Sequence, residues 1–135
     1  MVQSRYPEFE NSPYTKLTGV KFTALEDGYS HAVMKVTDAV LGFPNGSVHG
    51  GAIATLVDVG MGGALRTLLT DYELMRTVQL QVNYLAAPLS GVCVCESKVI
   101  RKGRKIATVE SEIRNEGILA AKATGTYYIT KLKKE

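Results

Sequence analysis

The segment HGGAIATLVDVGMGGAL, residues 49–65, decides the fold. Ala52, Ile53, Leu56, Val57, Gly60, Ala64 and then Leu68 recur at helical spacing, and the predicted helix runs from His49 to about Leu69. The opposite face is almost as apolar, and between Gly51 and Leu65 the one charged residue is Asp58. A helix that is apolar nearly all round is a buried one. Its glycines each cost up to about 1 kcal/mol of helix propensity relative to alanine, so they point to close packing against a sheet. The stretch from Val48 to Leu65 approaches the length of a membrane span, but it carries His49, Asp58 and five glycines, and alternating segments follow it. A buried helix of a globular domain fits better.

Outward from this helix the pattern is that of strands. Residues 19–25 and 29–37 alternate, with the turn sequence Glu26-Asp27-Gly28 between them. A loop, Leu41 to Ser47, separates the second of these from the helix. After Tyr72 the period is two: Val78, Leu80, Val82 and Tyr84 point to one face, and Thr77, Gln79, Gln81 and Asn83 to the other. Further runs at 91–100, 105–114 and 118–131 are separated by Lys102-Gly103-Arg104 and Asn115-Glu116-Gly117, both turn sequences. Short connections make antiparallel neighbours. The expected plan is two strands, a buried helix and a meander of four strands: an α+β domain in which about six antiparallel strands curl round one helix. The polar residues 1–16, with Pro7 and Pro13, form an N-terminal arm, and the domain occupies 17–135. One helix covers only one face of a sheet. Val92, Val94, Ile106, Ala107, Val109 and Ile113 place apolar side chains on both faces of the last strands, so a second copy of the chain is expected to cover the remainder.

A length of 135 residues holds one domain, and 45% hydrophobic with 21% charged residues is the balance of a soluble globular protein. The net charge of +3 gathers at Arg101-Lys102-Gly103-Arg104-Lys105 and at Lys131-Leu132-Lys133-Lys134, and no long basic block suggests nucleic acid. A solvated turn and a frayed terminus account for both clusters; for the first, an anionic ligand such as a phosphate-bearing tail is the sharper reading. Cys93 and Cys95 lie two apart, on one face of a strand, where they cannot bridge each other. Free thiols suit a reducing cytoplasm. With only His31 and His49 in the chain, a cysteine–histidine zinc site is not expected. Residues Met1 to Glu8 have no apolar core and do not read as a signal peptide.

Two features carry chemistry. A carboxylate midway along an apolar helix loses hydration at a cost of several kcal/mol, roughly, unless compensated. Desolvation of this kind makes a carboxylate a stronger base, which suits Asp58 to act as general base or nucleophile. The residues alone leave open a structural role, on a narrow wet stripe or paired with Arg66 two turns on. The second feature is His49-Gly50-Gly51 at the helix start. Free N–H groups of a first turn, aided by the helix dipole, can stabilise the oxyanion formed when a carbonyl is attacked. A glycine-rich loop capped by a hydrogen-bonded histidine is the alternative.

The full string Pro44-Asn45-Gly46-Ser47-Val48-His49-Gly50-Gly51-Ala52-Ile53-Ala54-Thr55-Leu56-Val57-Asp58 closely resembles the signature of the PaaI-like (phenylacetate-pathway) thioesterases of the hotdog superfamily. There, Asn-Pro-x-Gly-x-x-His-Gly-Gly leads into Leu-x-Asp. Asn83-Tyr84-Leu85-Ala86-Ala87-Pro88 is similar to that family's Tyr-Leu-x-Pro strand end, with one residue inserted. The resemblance implies the hotdog fold and hydrolysis of an acyl-CoA thioester. It implies Asp58 as the catalytic acid, activating water or attacking directly, and Gly51 as the backbone oxyanion donor beside His49. Thr77 would help position the attacking water. The pocket would lie between subunits of a homodimer or homotetramer, with Asp58 and the donor from different chains. The basic turn, Arg101, Lys102, Gly103 and Arg104, would contact the nucleotide end of coenzyme A. No metal or separate cofactor is implied, since coenzyme A is part of the substrate.

The family's active-site Asn usually sits six residues before the histidine, and Phe43 stands there. Asn45, two residues later, is the candidate to replace it, and Phe43 a candidate to line an acyl pocket with Met61, Leu65 and Tyr84. Hotdog dehydratases are the nearest competitor, but the catalytic histidine of a His-Phe-Pro context is missing: Leu41-Gly42 precede Phe43-Pro44. A non-catalytic acyl-CoA-binding sensor is the second class. Such proteins lose the acid and usually carry a DNA-binding appendage, whereas Asp58 is present and about 18 residues before the first strand are too few for a helix-turn-helix.

Overall fold

The computed structural model describes residues 11–132. Most of the N-terminal arm, including the segment judged not to be a signal peptide, and Lys133 and Lys134 of the basic tail lie outside the described residues. The elements run α1 (Pro13–Thr18), β1 (Lys21–Glu26), β2 (Tyr29–Lys35), a 3-10 turn (Asp38–Val40), α2 (Gly50–Arg66), β3 (Glu73–Tyr84), β4 (Val92–Lys102), β5 (Ile106–Asn115) and β6 (Ile118–Lys131). All strands join one antiparallel sheet in the order β1-β2-β4-β5-β6-β3. This sheet and the one long helix, α2, form the hotdog arrangement. The division expected at residue 16 falls inside α1, whose Thr15 and Thr18 are buried and whose Tyr14 hydroxyl hydrogen-bonds Thr55 Oγ1 of α2 at 2.9 Å.

The local signals explain most of this. Asp27 and Gly28 both take positive φ (44° and 80°), as do Glu116 and Gly117 (52° and 78°). That backbone pair is the type I′ turn, whose twist matches two antiparallel strands. The helix stops at Arg66, short of Leu69, because Thr67 Oγ1 donates to Ala64 O and accepts from Gly28 N–H, both at 2.7 Å. The helix glycines pack as closely as anticipated. A Cβ on Gly60 would lie 3.0 Å from Cys95 Sγ and 3.1 Å from Ser97 Oγ; one on Gly63 would lie 2.5 Å from the Phe22 ring. Leu56, Met61, Ala64 and Leu65 of α2 meet Met34, Cys93, Cys95, Val109 and Ile113 in one core. Among the described residues no helix is long and apolar enough to cross a membrane.

Two expectations are corrected. The last four strands are not a meander: β4, β5 and β6 are, but β3 pairs with β6 at the far edge while β4 pairs with β2. Helix α2 carries the chain across the sheet, and the segment 85–91 brings it back. That segment is held by Leu85 N–H and Ala86 N–H on Ala120 O, by Pro88 O accepting from Val48 N–H, and by Gly91 O accepting from Val36 N–H. The two faces assigned to β3 are also wrong. Thr77 pairs with Tyr127 but Gln79 with Thr126, so Val78 is the extra residue of a β-bulge. Past the bulge the parity inverts. Thr77 therefore shares the inner face with Leu80, Val82 and Tyr84, in line with Tyr127, Gly125, Ala123 and Ala121 of β6.

Candidate active site

Asp58 sits half-buried on the helical stripe that the sheet leaves partly open, with Ala54, Thr55 and Val59. Thr77 Oγ1 and the Tyr127 hydroxyl each donate to its Oδ1, both at 2.8 Å, and Tyr127 also reaches the Asp58 carbonyl at 3.2 Å. Both side-chain bonds end on Oδ1, and among the described residues Oδ2 is left without one. The pairing with Arg66 considered from sequence does not form: Arg66 Nη1 donates to Thr70 O and Glu73 O, at 3.0 and 3.1 Å. The bulge at Val78 is what turns Thr77 inward, and the β3–β6 register sets Thr77 directly opposite Tyr127. Tyr127 is 2% exposed. Burial first, and then the charge of Asp58, raise its pKa far above the ordinary phenol value, so the hydroxyl stays a donor.

The helix start lies two turns away. His49 is its N-cap, and His49 Nδ1 accepts the Gly51 N–H at 2.8 Å. The N–H assigned to an oxyanion is thus donated to the neighbouring imidazole. Gly50 adjoins Tyr84, whose hydroxyl donates to Gly50 O at 2.7 Å and whose ring would lie 3.5 Å from a Cβ on Gly50. Gly51 is separated from Asp58 by seven residues, about 10.5 Å of helical rise. Within one chain the acid and the donor do not converge.

The remaining candidates are spread out. Asn45 is exposed, with φ 57°, in a turn closed by Gly46 N–H to Phe43 O at 3.0 Å. Pro44 followed by a residue at positive φ is a turn chemistry that asparagine suits. Asn45 makes no contact with Asp58, Thr77 or Tyr127 in this chain; it lines a shallow depression of ≈ 380 Å³, together with the 74% exposed Phe43. Arg101, Gly103, Arg104 and Lys105 line another, of ≈ 350 Å³, with Ile106 and Thr108. Lys102 does not join it. Its charge, with that of Lys131, adds to the Thr70 N–H bond that chiefly holds the Glu73 carboxyl below its ordinary value. The register nevertheless relates turn and acid, because Lys102, Ala107, Tyr127 and Thr77 are successive partners across four strands. Cys93 and Cys95 are both free and buried on the inner face.

Sequence reasoning missed Tyr127. Its one signal was position: in the inward series Ala121, Ala123, Gly125, Tyr127, Ile129 of β6 it alone carries a hydroxyl.

A six-stranded antiparallel sheet wrapped round one acid-bearing helix defines a class of fold, the hotdog. Residues 45–122 match the profile of the Thioesterase superfamily, and the chain belongs to that superfamily. It is 36% identical over 89 residues to the esterase-named protein SSO2140 of Saccharolobus solfataricus, covering 65% of this chain and 63% of that one, a little under two-thirds. It is 27% identical over 132 residues to the medium/long-chain acyl-CoA thioesterase YigI of Escherichia coli, covering 87% of this chain and 85% of the relative. Among solved structures it resembles the conserved protein PA5202 of Pseudomonas aeruginosa, with TM-score 0.86, 30% identity and coverage of 95% and 100%. A hypothetical thioesterase protein from Streptococcus pneumoniae, solved with coenzyme A, has TM-score 0.83, 24% identity and coverage of 96% and 99%.

Proposed function

We propose that this protein is an acyl-CoA thioesterase in which Asp58 of one subunit and the Gly51 N–H of a second serve the same thioester. The observation that carries the reading is the Asp58 carboxylate, pinned through Oδ1 by Thr77 and Tyr127, with no bond to Oδ2 from the described residues. As general base, Oδ2 takes a proton from water while the water oxygen attacks the thioester carbon. The carbonyl electrons move onto oxygen, where the N–H at the positive end of the second copy's α2 receives them. Collapse of the intermediate expels the thiolate, which recovers the proton from Asp58. The alternative, direct attack by Oδ2, passes through an acyl-aspartyl anhydride that water then hydrolyses.

Several features support the shared site. The exposed edge strand β3 carries outward apolar side chains, with Val78 61% exposed, and an unpaired edge of this length invites a second copy. The distance of about 10.5 Å between Gly51 and Asp58 along one helix is spanned at one thioester only when the contacts are fully extended, which favours a donor from a second subunit. The Arg101–Arg104 turn offers cations to the phosphates of coenzyme A, and the coenzyme A bound to the Streptococcus pneumoniae relative favours that leaving group. The acyl group we assign to small aromatic or short to medium chains, on the signature around residues 44–58. Two buried free thiols fit a cytoplasmic enzyme.

Thiol release from a panel of phenylacetyl, hydroxybenzoyl, short-chain and long-chain CoA esters, with Asp58→Asn in parallel, tests the reading. We expect turnover of some esters and a loss of at least about a hundredfold in the variant. Equal activity in wild type and Asp58→Asn would refute it. Binding of CoA esters without turnover would instead favour a non-catalytic acyl-CoA sensor.

A further inference from the structure

We propose that Tyr127 is a positioning residue for this reaction: together with Thr77 it ties down Oδ1 of Asp58 and so selects Oδ2 as the oxygen that acts. The inference rests on the role given to Asp58 above. Its geometry is that of two hydroxyls presented by adjacent strands in direct register, Thr77 on β3 and Tyr127 on β6, each 2.8 Å from the same oxygen. A carboxylate gripped at one oxygen from two directions cannot rotate about its Cβ–Cγ bond without breaking both contacts. The ring of Tyr127 is itself fixed. A Cβ at Gly125 would lie 2.8 Å from Met61 Sδ and 3.0 Å from Tyr127 Cε2, so this glycine leaves the space the ring occupies.

A structural explanation also exists, because a buried tyrosine hydroxyl needs an acceptor and takes whichever is near. The Asp58 main-chain carbonyl, at 3.2 Å, already lies within reach of it. The shorter bond goes to the carboxylate, which makes the hydroxyl a donor to the reacting group. The two explanations differ in what the hydroxyl does to kcat, and only positioning makes its effect depend on the acid.

The test is steady-state kinetics on the best ester of the panel for Tyr127→Phe, made both in wild type and in Asp58→Asn. Thermal stability and oligomeric state are measured for each. Removing the hydroxyl lowers kcat by about tenfold with KM within about twofold, the pattern of lost alignment. Added to Asp58→Asn, the same change leaves the residual rate where it was. A folded Tyr127→Phe with kcat within about twofold of wild type overturns the inference, while a collapsed Asp58→Asn keeps the thioesterase reading standing. An equal proportional loss in both backgrounds also overturns it, since the tyrosine would then act on the fold. Should Tyr127→Phe not fold, Gly125→Ala serves instead. It keeps all three oxygens and displaces the ring, so a kcat loss at constant KM is expected, and unchanged kcat refutes the proposal.

Discussion

On the shared-site proposal, mixing two inactive variants should restore a calculable share of activity. Asp58 and Gly51 are seven residues apart on one helix, about 10.5 Å along its axis. A base within about 3 Å of the attacking water and a donor within about 3 Å of the carbonyl oxygen reach so far only when fully extended, which favours a donor from a second subunit. The proposed site therefore draws the acid and the donor from two subunits. The perturbations are Asp58→Asn, which removes the acid, and Gly51→Pro, which removes the donor N–H. Gly51 is the second residue of α2, where the N–H is outside the helical ladder and proline is tolerated. The variant loses the His49 cap, which costs about 1 kcal/mol. In a twofold dimer with two shared sites, a hetero-dimer holds one site with both lesions and one intact. Random pairing makes half of all dimers hetero-dimers, so about a quarter of sites recover. The assay is thiol release from variants carrying different tags, unfolded and refolded separately or together, with hetero-dimers isolated on both tags. Isolated hetero-dimers should reach about half of wild-type activity. No recovery in verified hetero-dimers, or full activity in Gly51→Pro alone, would show that acid and donor do not come from different chains as argued.

Two further outcomes follow from the core. Gly63→Ala sets a Cβ 2.5 Å from the Phe22 ring and 3.1 Å from Leu25 Cδ2; overpacking of about 1–3 kcal/mol outweighs a helix-propensity gain of up to about 1 kcal/mol. A fall in Tm of about 5 °C is expected by differential scanning fluorimetry, and an unchanged or higher Tm would refute the close approach. Burial pushes the Cys93 thiol from 9.0 up to about 11. Its native form thus stays protonated where the unfolded thiol ionises, and its contribution to stability, complete below pH 9.0, is lost as the pH rises toward 11. Urea unfolding between pH 8 and 11 should show a steeper alkaline loss in wild type than in Cys93→Ala; parallel curves would count against this burial effect.

What the sequence determined by itself was everything encoded between near neighbours. The 3.6-residue spacing of residues 52–64 and the single charge at Asp58 specified a sheet-covered helix and its one acid. Asp27-Gly28 and Glu116-Gly117 specified two hairpins, because few residue pairs accept consecutive positive φ. The glycines at 60 and 63 announced close packing through their cost in helix propensity. Tertiary structure decided whatever depends on which strand meets which. Placement of β3 beside β6 follows from the helix crossing the sheet, and local alternation carries no trace of it. A bulge at Val78 reverses the face of every residue beyond it, yet period-two counting treats the strand as unbroken. Tyr127 is 69 residues from Asp58, so its hydroxyl joins the acid only when β6, β3 and α2 are all in place. The capping of Gly51 by His49 is a local contact, but the ring's rotamer selects it, and a string of residue types does not fix a rotamer.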